Sequence, residues 1–198
     1  MIHAEALARA SGIGIEQAER RVGRYEQTFL SMKPWLPPGL VRDFLDIGCG
    51  ISGIAVFVAQ HYGGRAVAHL LDGNGAGEKW GGFRKDGRPW NDVGQAARIF
   101  RALYPGAVCA DWGPEPECRL IPPCELVYSI CAWGHHFPIE MYVDMVHRVL
   151  RPGGRLIVDL RREHAERGRE ELHQDFDWVA DIPSEGKKYI RTVWGART

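Results

Sequence analysis

Short apolar runs alternate with helix-like segments along most of this chain, and this alternation limits its possible folds more than any other feature. Runs typical of buried strands lie at residues 44–47, 66–71, 107–110, 125–130 and 155–160. Helices are predicted between and after them, at residues 51–62, 92–104, 139–150 and 163–173. Strands joined by helices form right-handed crossovers and a mostly parallel sheet that is covered on both faces. The chain is therefore predicted to be a doubly wound α/β domain.

The two ends of the chain add features to this core. An N-terminal helix is predicted over residues 13–32, where apolar side chains recur every three or four positions until a proline cluster at 34–38. Near the other end, residues 176–181 and 189–194 flank a proline- and glycine-containing turn, which predicts a hairpin that adds antiparallel strands to the sheet. We expect one domain over 1–198, with a helical preface at 1–38 and a Rossmann-like core at 39–198.

A long loop interrupts the core at residues 73–90. It is rich in glycine and charge and contains Trp80, Phe83, Arg88 and Trp90. Asn91 is predicted to cap the helix that follows. Long loops in compact domains are often functional, so this insertion is a candidate cover for a bound substrate.

Length and composition exclude several classes of protein. The 198 residues fit one globular domain, and 25 basic residues balance 25 acidic ones, so binding to nucleic acid is unlikely. No apolar stretch approaches the ~20 residues of a membrane span. The first twelve residues lack the pattern of a signal peptide, and the five cysteines form no close pairs, so we expect a cytoplasmic protein without a metal site.

A glycine-rich turn joins the first strand to the first helix of the core. It contains Gly48, Gly50 and Gly53, a spacing that lets a ligand approach the backbone closely at the start of a helix. Asp72 ends the second strand 22 positions after Gly50, near the spacing at which an acidic side chain binds a ribose. A nicotinamide cofactor would suit these residues equally well. Asp46, two positions before the turn, favours a ligand with a cationic amine, such as S-adenosylmethionine.

Three motifs over residues 43–160 resemble those of the class I S-adenosylmethionine-dependent methyltransferases. They are Phe-Leu-Asp-Ile-Gly-Cys-Gly at 44–50, Leu-Val-Tyr-Ser-Ile-Cys-Ala-Trp-Gly-His-His-Phe-Pro at 126–138 and Arg-Val-Leu-Arg-Pro-Gly-Gly-Arg-Leu-Ile-Val-Asp at 148–159. The resemblance implies a seven-stranded sheet whose last hairpin is reversed. It also implies cofactor contacts at Asp46, Gly48, Gly50, Gly53, Asp72, Asp111, Trp112 and Ser129.

The loop predicted after the fourth strand suggests how an acceptor would be activated. Ser129 stands where metal-dependent relatives place a carboxylate ligand, so metal-independent transfer is expected. His135 and His136 are candidate general bases, because imidazole titrates near neutral pH. The predicted activity is methyl transfer to oxygen or nitrogen of a small molecule, with a sugar or another polyhydroxylated metabolite as the preferred acceptor. A nicotinamide-dependent oxidoreductase and a non-catalytic S-adenosylmethionine-binding subunit remain alternatives, and the oligomeric state is open.

Overall fold

A central sheet organises the fold in the computed structural model, which describes residues 2–75, 81–85, 89–114, 117–184 and 187–197. The strands are β1 Asp43–Ile47, β2 Val67–Leu71, β3 Cys109–Trp112, β4 Cys124–Ser129, β5 Ala132–Phe137, β6 Leu150–Arg161, β7 Phe176–Ile182 and β8 Tyr189–Ala196. The helices are α1 Ala4–Ser11, α2 Ile15–Met32, α3 Gly53–His61, α4 Val93–Leu103, α5 Val143–Val149 and α6 Ala165–Asp175.

Seven of these strands form one mixed sheet in the order β3-β2-β1-β4-β6-β8-β7. The first five strands in that order run parallel, while β8 is antiparallel to both β6 and β7. The order reverses between β1 and β4, and ligands of open α/β sheets bind at such a point, outside the carboxyl ends of the strands. The predicted doubly wound α/β fold, with its seven strands and reversed hairpin, is confirmed.

Helices cover both faces of the sheet. A core cluster on one face includes residues of α1, α2, α3 and α4, and a second cluster on the other face includes residues of α5 and α6. Within the described residues, no helix has the length and apolar character needed to cross a membrane.

The N-terminal preface is a pair of helices, so the prediction of one helix over 13–32 was incomplete. Gly12 ends α1 in the left-handed conformation at φ 71°, a conformation that costs glycine little because it has no Cβ. Three residues later α2 begins, and it packs against α3 of the core.

Four other local predictions were wrong. Residues 132–137, expected as a loop, form strand β5, which packs beside β6 outside the seven-strand order. The helix predicted over 139–150 is a 3-10 turn at 139–141 followed by the shorter α5, and residues 150–154 already belong to β6. The cap of α4 is Asp92 rather than Asn91, because the Asp92 carboxylate accepts the Gln95 N–H at 3.0 Å. The third strand begins at Cys109, two residues later than predicted.

The loop insertion is described only in part. Residues 76–80 and 86–88, which include Trp80 and Arg88, lie outside the described residues. Asn74 forms an isolated antiparallel bridge with Asp92, so both ends of the insertion return to the carboxyl end of β2. The Arg84 N–H donates to the carbonyl of His136 at 2.8 Å, which places the middle of the loop beside β5.

Candidate functional site

The glycine turn lies at the carboxyl ends of β1 and β2. The N–H groups of Gly48 and Cys49 donate to the Leu71 carbonyl at 2.7 and 3.3 Å. Gly48 and Gly50 have φ angles of 74° and 58°, in the region that side chains disfavour. A Cβ added to Gly48 would lie 2.2 Å from the Cβ of Ala132, whereas at Gly50 it would meet nothing within 4 Å. Gly50 therefore faces open space where a ligand can approach.

Gly53 has a different role from the other two glycines. A Cβ added there would lie 2.2 Å from a ring carbon of Tyr25 on α2. The space beside Gly53 is thus filled by the protein itself, and this glycine allows α2 to pack closely on the first turn of α3.

Asp72 links the glycine turn to the loop insertion. Its carboxylate accepts three hydrogen bonds: from the backbone N–H of Gly50 at 2.8 Å, from the backbone N–H of Gly73 at 2.8 Å and from the side-chain amide of Asn91 at 3.1 Å. Burial raises the pKa of Asp72, and these hydrogen bonds oppose the rise. A ribose that binds this carboxylate would compete with the amide of Asn91.

Asp46 is the more deeply buried carboxyl group of the site. Burial raises its pKa to about 8, a hydrogen bond from Tyr128 opposes the rise, and the charge of Asp72 adds to it. The Tyr128 hydroxyl donates to Asp46 Oδ2 at 3.1 Å. At pH 7 this carboxyl group is therefore mostly protonated.

Three further residues predicted to contact a cofactor are engaged within the protein. Asp111 forms an ion pair with Arg101 at 3.6 Å. The Trp112 indole N–H donates to His69 Nδ1 at 3.1 Å. The Ser129 hydroxyl donates to the Ile47 carbonyl and accepts the Trp133 N–H, both at 2.9 Å. Each of these three side chains therefore already has a partner within the protein.

A small cavity opens beside the glycine turn, and we call it the turn cavity. It is lined by Gly48, Asp72, Pro89, Trp90, Asn91, Cys131, Ala132, His136 and Phe137. Its volume of about 80 Å³ is well below the ~300 Å³ at which pockets for small ligands begin. Three of the lining residues are Pro89 and Trp90, which end the insertion, and Asn91, which follows it. A whole nucleoside would fit in this cavity only if segment 89–91 moved outward.

The two candidate histidines face different surroundings, because neighbouring residues of a strand point to opposite sides. His136 lines the turn cavity, and its Nδ1–H donates to the Gly82 carbonyl at 2.7 Å. Because Nδ1 carries the hydrogen of the neutral ring, Nε2 has a free lone pair and can accept a proton. His135 is buried away from this cavity, and its Nδ1 has no hydrogen-bond partner among the described residues. Burial, with the charges of His136 and Arg161, lowers the pKa of His135 to about 4.

A larger cavity of about 350 Å³ lies between α2 and the C-terminal hairpin, and we call it the α2–hairpin cavity. Its lining consists of Arg24, Gln27, Thr28, Ser31, Ile130, Cys131, Pro183, Ser184, Lys187, Tyr189 and Arg191. Cys131 lines this cavity and the turn cavity, so the two spaces are separated by about one residue.

A buried ion pair shapes the wall between the two cavities. Arg191 binds both carboxylate oxygens of Asp159, at 2.7 and 2.9 Å, and its third nitrogen donates to Ser31 Oγ at 2.8 Å. The same carboxylate accepts the Cys131 N–H at 3.1 Å. Cys131 has a φ of 53°, which is unfavourable for a side-chain-bearing residue. The ion pair thus holds a strained turn directly after β4.

Sequence reasoning missed several residues of these cavities. Asn91 was considered only as a helix cap, and Asp159 was noted in a motif without a role. Arg191 carries no local signal, because its partner Asp159 lies 32 positions away in the chain.

Solved structures provide the comparison for this geometry. N-methyltransferase NodS from Bradyrhizobium japonicum WM9, in complex with S-adenosyl-L-homocysteine, matches with a TM-score of 0.57 and 13% identity over 91% of this chain and 88% of its own. Precorrin-6y C5,15-methyltransferase from Geobacter metallireducens GS-15 matches with a TM-score of 0.54 and 15% identity, over 86% and 87% of the two chains.

A TehB-like methyltransferase from Corynebacterium glutamicum matches with a TM-score of 0.56 and 12% identity, over 92% of this chain and 97% of its own. The chain has the class I methyltransferase fold. At these identities the similarity establishes the fold alone. No protein-family model matches the sequence, and a search of curated proteins finds no similar one. Within the class I methyltransferase fold, function must be argued from the site.

Proposed function

We propose that this protein is an S-adenosylmethionine-dependent methyltransferase that acts on oxygen or nitrogen of a small molecule. The observation that carries the proposal is the pair of buried carboxyl groups, Asp46 and Asp72, beside the open backbone of Gly50. A cationic amine and a ribose in one ligand would match these two groups. The S-adenosyl-L-homocysteine bound to NodS, which has the same fold, contains both.

The residues present fit this cofactor once segment 89–91 has moved. Asp72 would accept hydrogen bonds from the ribose in place of the Asn91 amide, and Gly50 would allow the ligand close to the backbone. Asp46 would face the ammonium group of the methionine portion. When bound, the cofactor supplies a methyl group made electrophilic by its sulfonium. Asp111, Trp112 and Ser129 stay predicted contacts.

His136 is the proposed general base. Its Nε2 is oriented by the bond from Nδ1 to Gly82 and belongs to the wall of the turn cavity, so it can accept a proton from an acceptor hydroxyl or amine. Such a base contributes about 10²- to 10⁴-fold. The larger share of the rate would come from holding the acceptor in line with the methyl group, an effect of up to ~7 to 11 kcal/mol. We propose that the transfer needs no metal ion.

Binding measurements test the assignment directly. Native mass spectrometry would identify any retained nucleoside, and calorimetry would compare S-adenosylhomocysteine with NAD. We expect the first ligand to bind and NAD not to. Asp72→Asn should weaken binding of S-adenosylhomocysteine by about 1 to 3 kcal/mol, the effect of losing a charged hydrogen-bond acceptor. Asp177→Asn, on the distant strand β7, is the matched control and should leave the affinity unchanged.

Two outcomes would favour the alternatives. Tight binding of NAD with none of S-adenosylhomocysteine would overturn the assignment in favour of an oxidoreductase. Binding of S-adenosylhomocysteine without transfer of labelled methyl groups to any fraction of a metabolite extract would favour a non-catalytic binding subunit.

A further inference from the structure

We propose that the α2–hairpin cavity binds an acidic group of the acceptor, a carboxylate or a phosphate, through Arg24 and Lys187. This inference rests on the proposed function, because it concerns the molecule that receives the methyl group. It adds an anionic group to the acceptor, for which the sequence suggested only a sugar or another polyhydroxylated metabolite.

The position of the α2–hairpin cavity suits an acceptor. It adjoins the turn cavity at Cys131, so an acceptor anchored in one cavity can extend its nucleophilic atom into the other, toward His136. Its volume of about 350 Å³ is within the range of small-molecule pockets. The anchoring group and the reacting atom would therefore occupy different cavities.

The lining of the cavity is positively charged. Three cationic side chains, Arg24, Lys187 and Arg191, line the cavity, and none of its described lining residues is acidic. The charge of Arg191 is already balanced by Asp159. Arg24 and Lys187 are exposed, and among the described residues neither one forms an ion pair. Within the described part of the chain, these two cations are therefore available to an anionic ligand.

The other polar groups of the cavity do not cancel its positive charge. Burial and the neighbouring Asp159 raise the pKa of the Cys131 thiol to about 12, so the thiol is neutral at pH 7. The Ser31 hydroxyl donates to the Thr28 carbonyl at 2.7 Å and accepts from Arg191 at 2.8 Å, so its single proton is already used. The Tyr189 hydroxyl accepts from Arg191 at 3.5 Å, and no acceptor among the described residues takes its own proton. This hydroxyl lines the same cavity as Arg24 and Lys187, and the three groups together suit an oxyanion, which takes several hydrogen bonds at once.

A pair of isosteric probes tests the proposal. The full chain, saturated with S-adenosylhomocysteine, is titrated with benzoate, with its neutral isostere benzamide and with phenyl phosphate, while backbone amide shifts are recorded by NMR. We expect benzoate or phenyl phosphate to bind at least about tenfold more tightly than benzamide and to shift the amides of Ser31 and Cys131. The better of the two anions distinguishes a carboxylate site from a phosphate site.

Variants assign the effect to the two cations. Arg24→Gln and Lys187→Gln should each weaken binding of the anion by about tenfold, and the double variant should bind benzoate no better than benzamide. Two control variants make the same charge change outside the cavity: Arg20→Gln on the same helix and Lys188→Gln in the same hairpin. Each should change the affinity for the anion by less than twofold. Unfolding temperatures confirm that each variant is folded.

The results separate this inference from the proposed function. If S-adenosylhomocysteine binds and neither anion binds more tightly than benzamide, the acidic acceptor is wrong while the cofactor assignment stands. If the anions bind at Ser31 and Cys131 but S-adenosylhomocysteine does not bind, the proposed function fails while the anion site stands. Wild-type affinity for benzoate in the double variant would overturn the inference.

Discussion

The raised pKa of Asp46 determines how binding of S-adenosylhomocysteine should vary with pH. With a pKa of about 8, roughly 0.9 of these carboxyl groups hold a proton at pH 7 in the free protein. The ammonium group of the ligand stabilises the ionised carboxylate, so the proton must leave when the ligand binds. The affinity for S-adenosylhomocysteine should therefore rise with pH below about 8, by about tenfold from pH 6 to pH 7. Above pH 8 the ligand's own amine begins to lose its charge.

Calorimetry in buffers with different ionisation enthalpies measures the proton directly. Wild-type protein should release about 0.9 proton per bound ligand at pH 7, while Asp46→Asn should release none from this site. Methylthioadenosine, which has the nucleoside but no amino acid portion, is the control ligand. Of the two carboxyl groups, we expect only Asp72 to contact methylthioadenosine. The difference in proton release between the two ligands therefore reports on Asp46.

Two results would refute this reasoning. One is an affinity for S-adenosylhomocysteine that stays constant between pH 6 and pH 7. The other is equal proton release by the wild type and by Asp46→Asn, which would mean that the ligand's amine lies elsewhere.

The remaining predictions concern catalysis and access to the site. His136→Ala should lower kcat by about 10²- to 10⁴-fold with little change in the affinity for S-adenosylhomocysteine. His135→Ala should mainly lower the unfolding temperature. A kcat of His136→Ala as high as that of His135→Ala would exclude His136 as the base. Asn91→Ala removes the side-chain amide that competes with the ribose for Asp72. This variant should therefore bind S-adenosylhomocysteine about 2- to 10-fold more tightly in calorimetry. Weaker binding would contradict the proposed movement of segment 89–91. Turnover should survive EDTA, and loss of activity that magnesium restores would disprove metal-independent transfer.

The sheet was predictable from the sequence because most of its strands are short apolar runs that alternate with longer helix-like segments. The hairpin was equally clear, since 183–186 contains a proline and a glycine between two strand-like runs. Strand β5 was not predictable in the same way. Its residues include Gly134 and two histidines, which are weak strand formers, and β5 is stabilised by packing on β6 rather than by its own propensity.

The glycine turn shows where a motif stops being informative. All three glycines match a ligand-binding pattern, but only Gly50 faces open space, because Ala132 and Tyr25 fill the other two positions. These partners come from distant parts of the chain, and local spacing carries no information about them. Likewise, the acid at position 72 was predictable, whereas its bond to Asn91 depends on the path of a long loop.

The bond between Arg191 and Ser31 joins residues that are 160 positions apart. Contacts of such sequence separation form late, because a long loop must close before they contribute any stability. During synthesis at about 5 to 20 residues per second, helix α2 would wait about 8 to 30 s for the strand that carries Arg191. The α2–hairpin cavity is therefore expected to assemble last, after the parallel strands have paired. A nascent chain that stops before β8 would have the glycine turn without the α2–hairpin cavity.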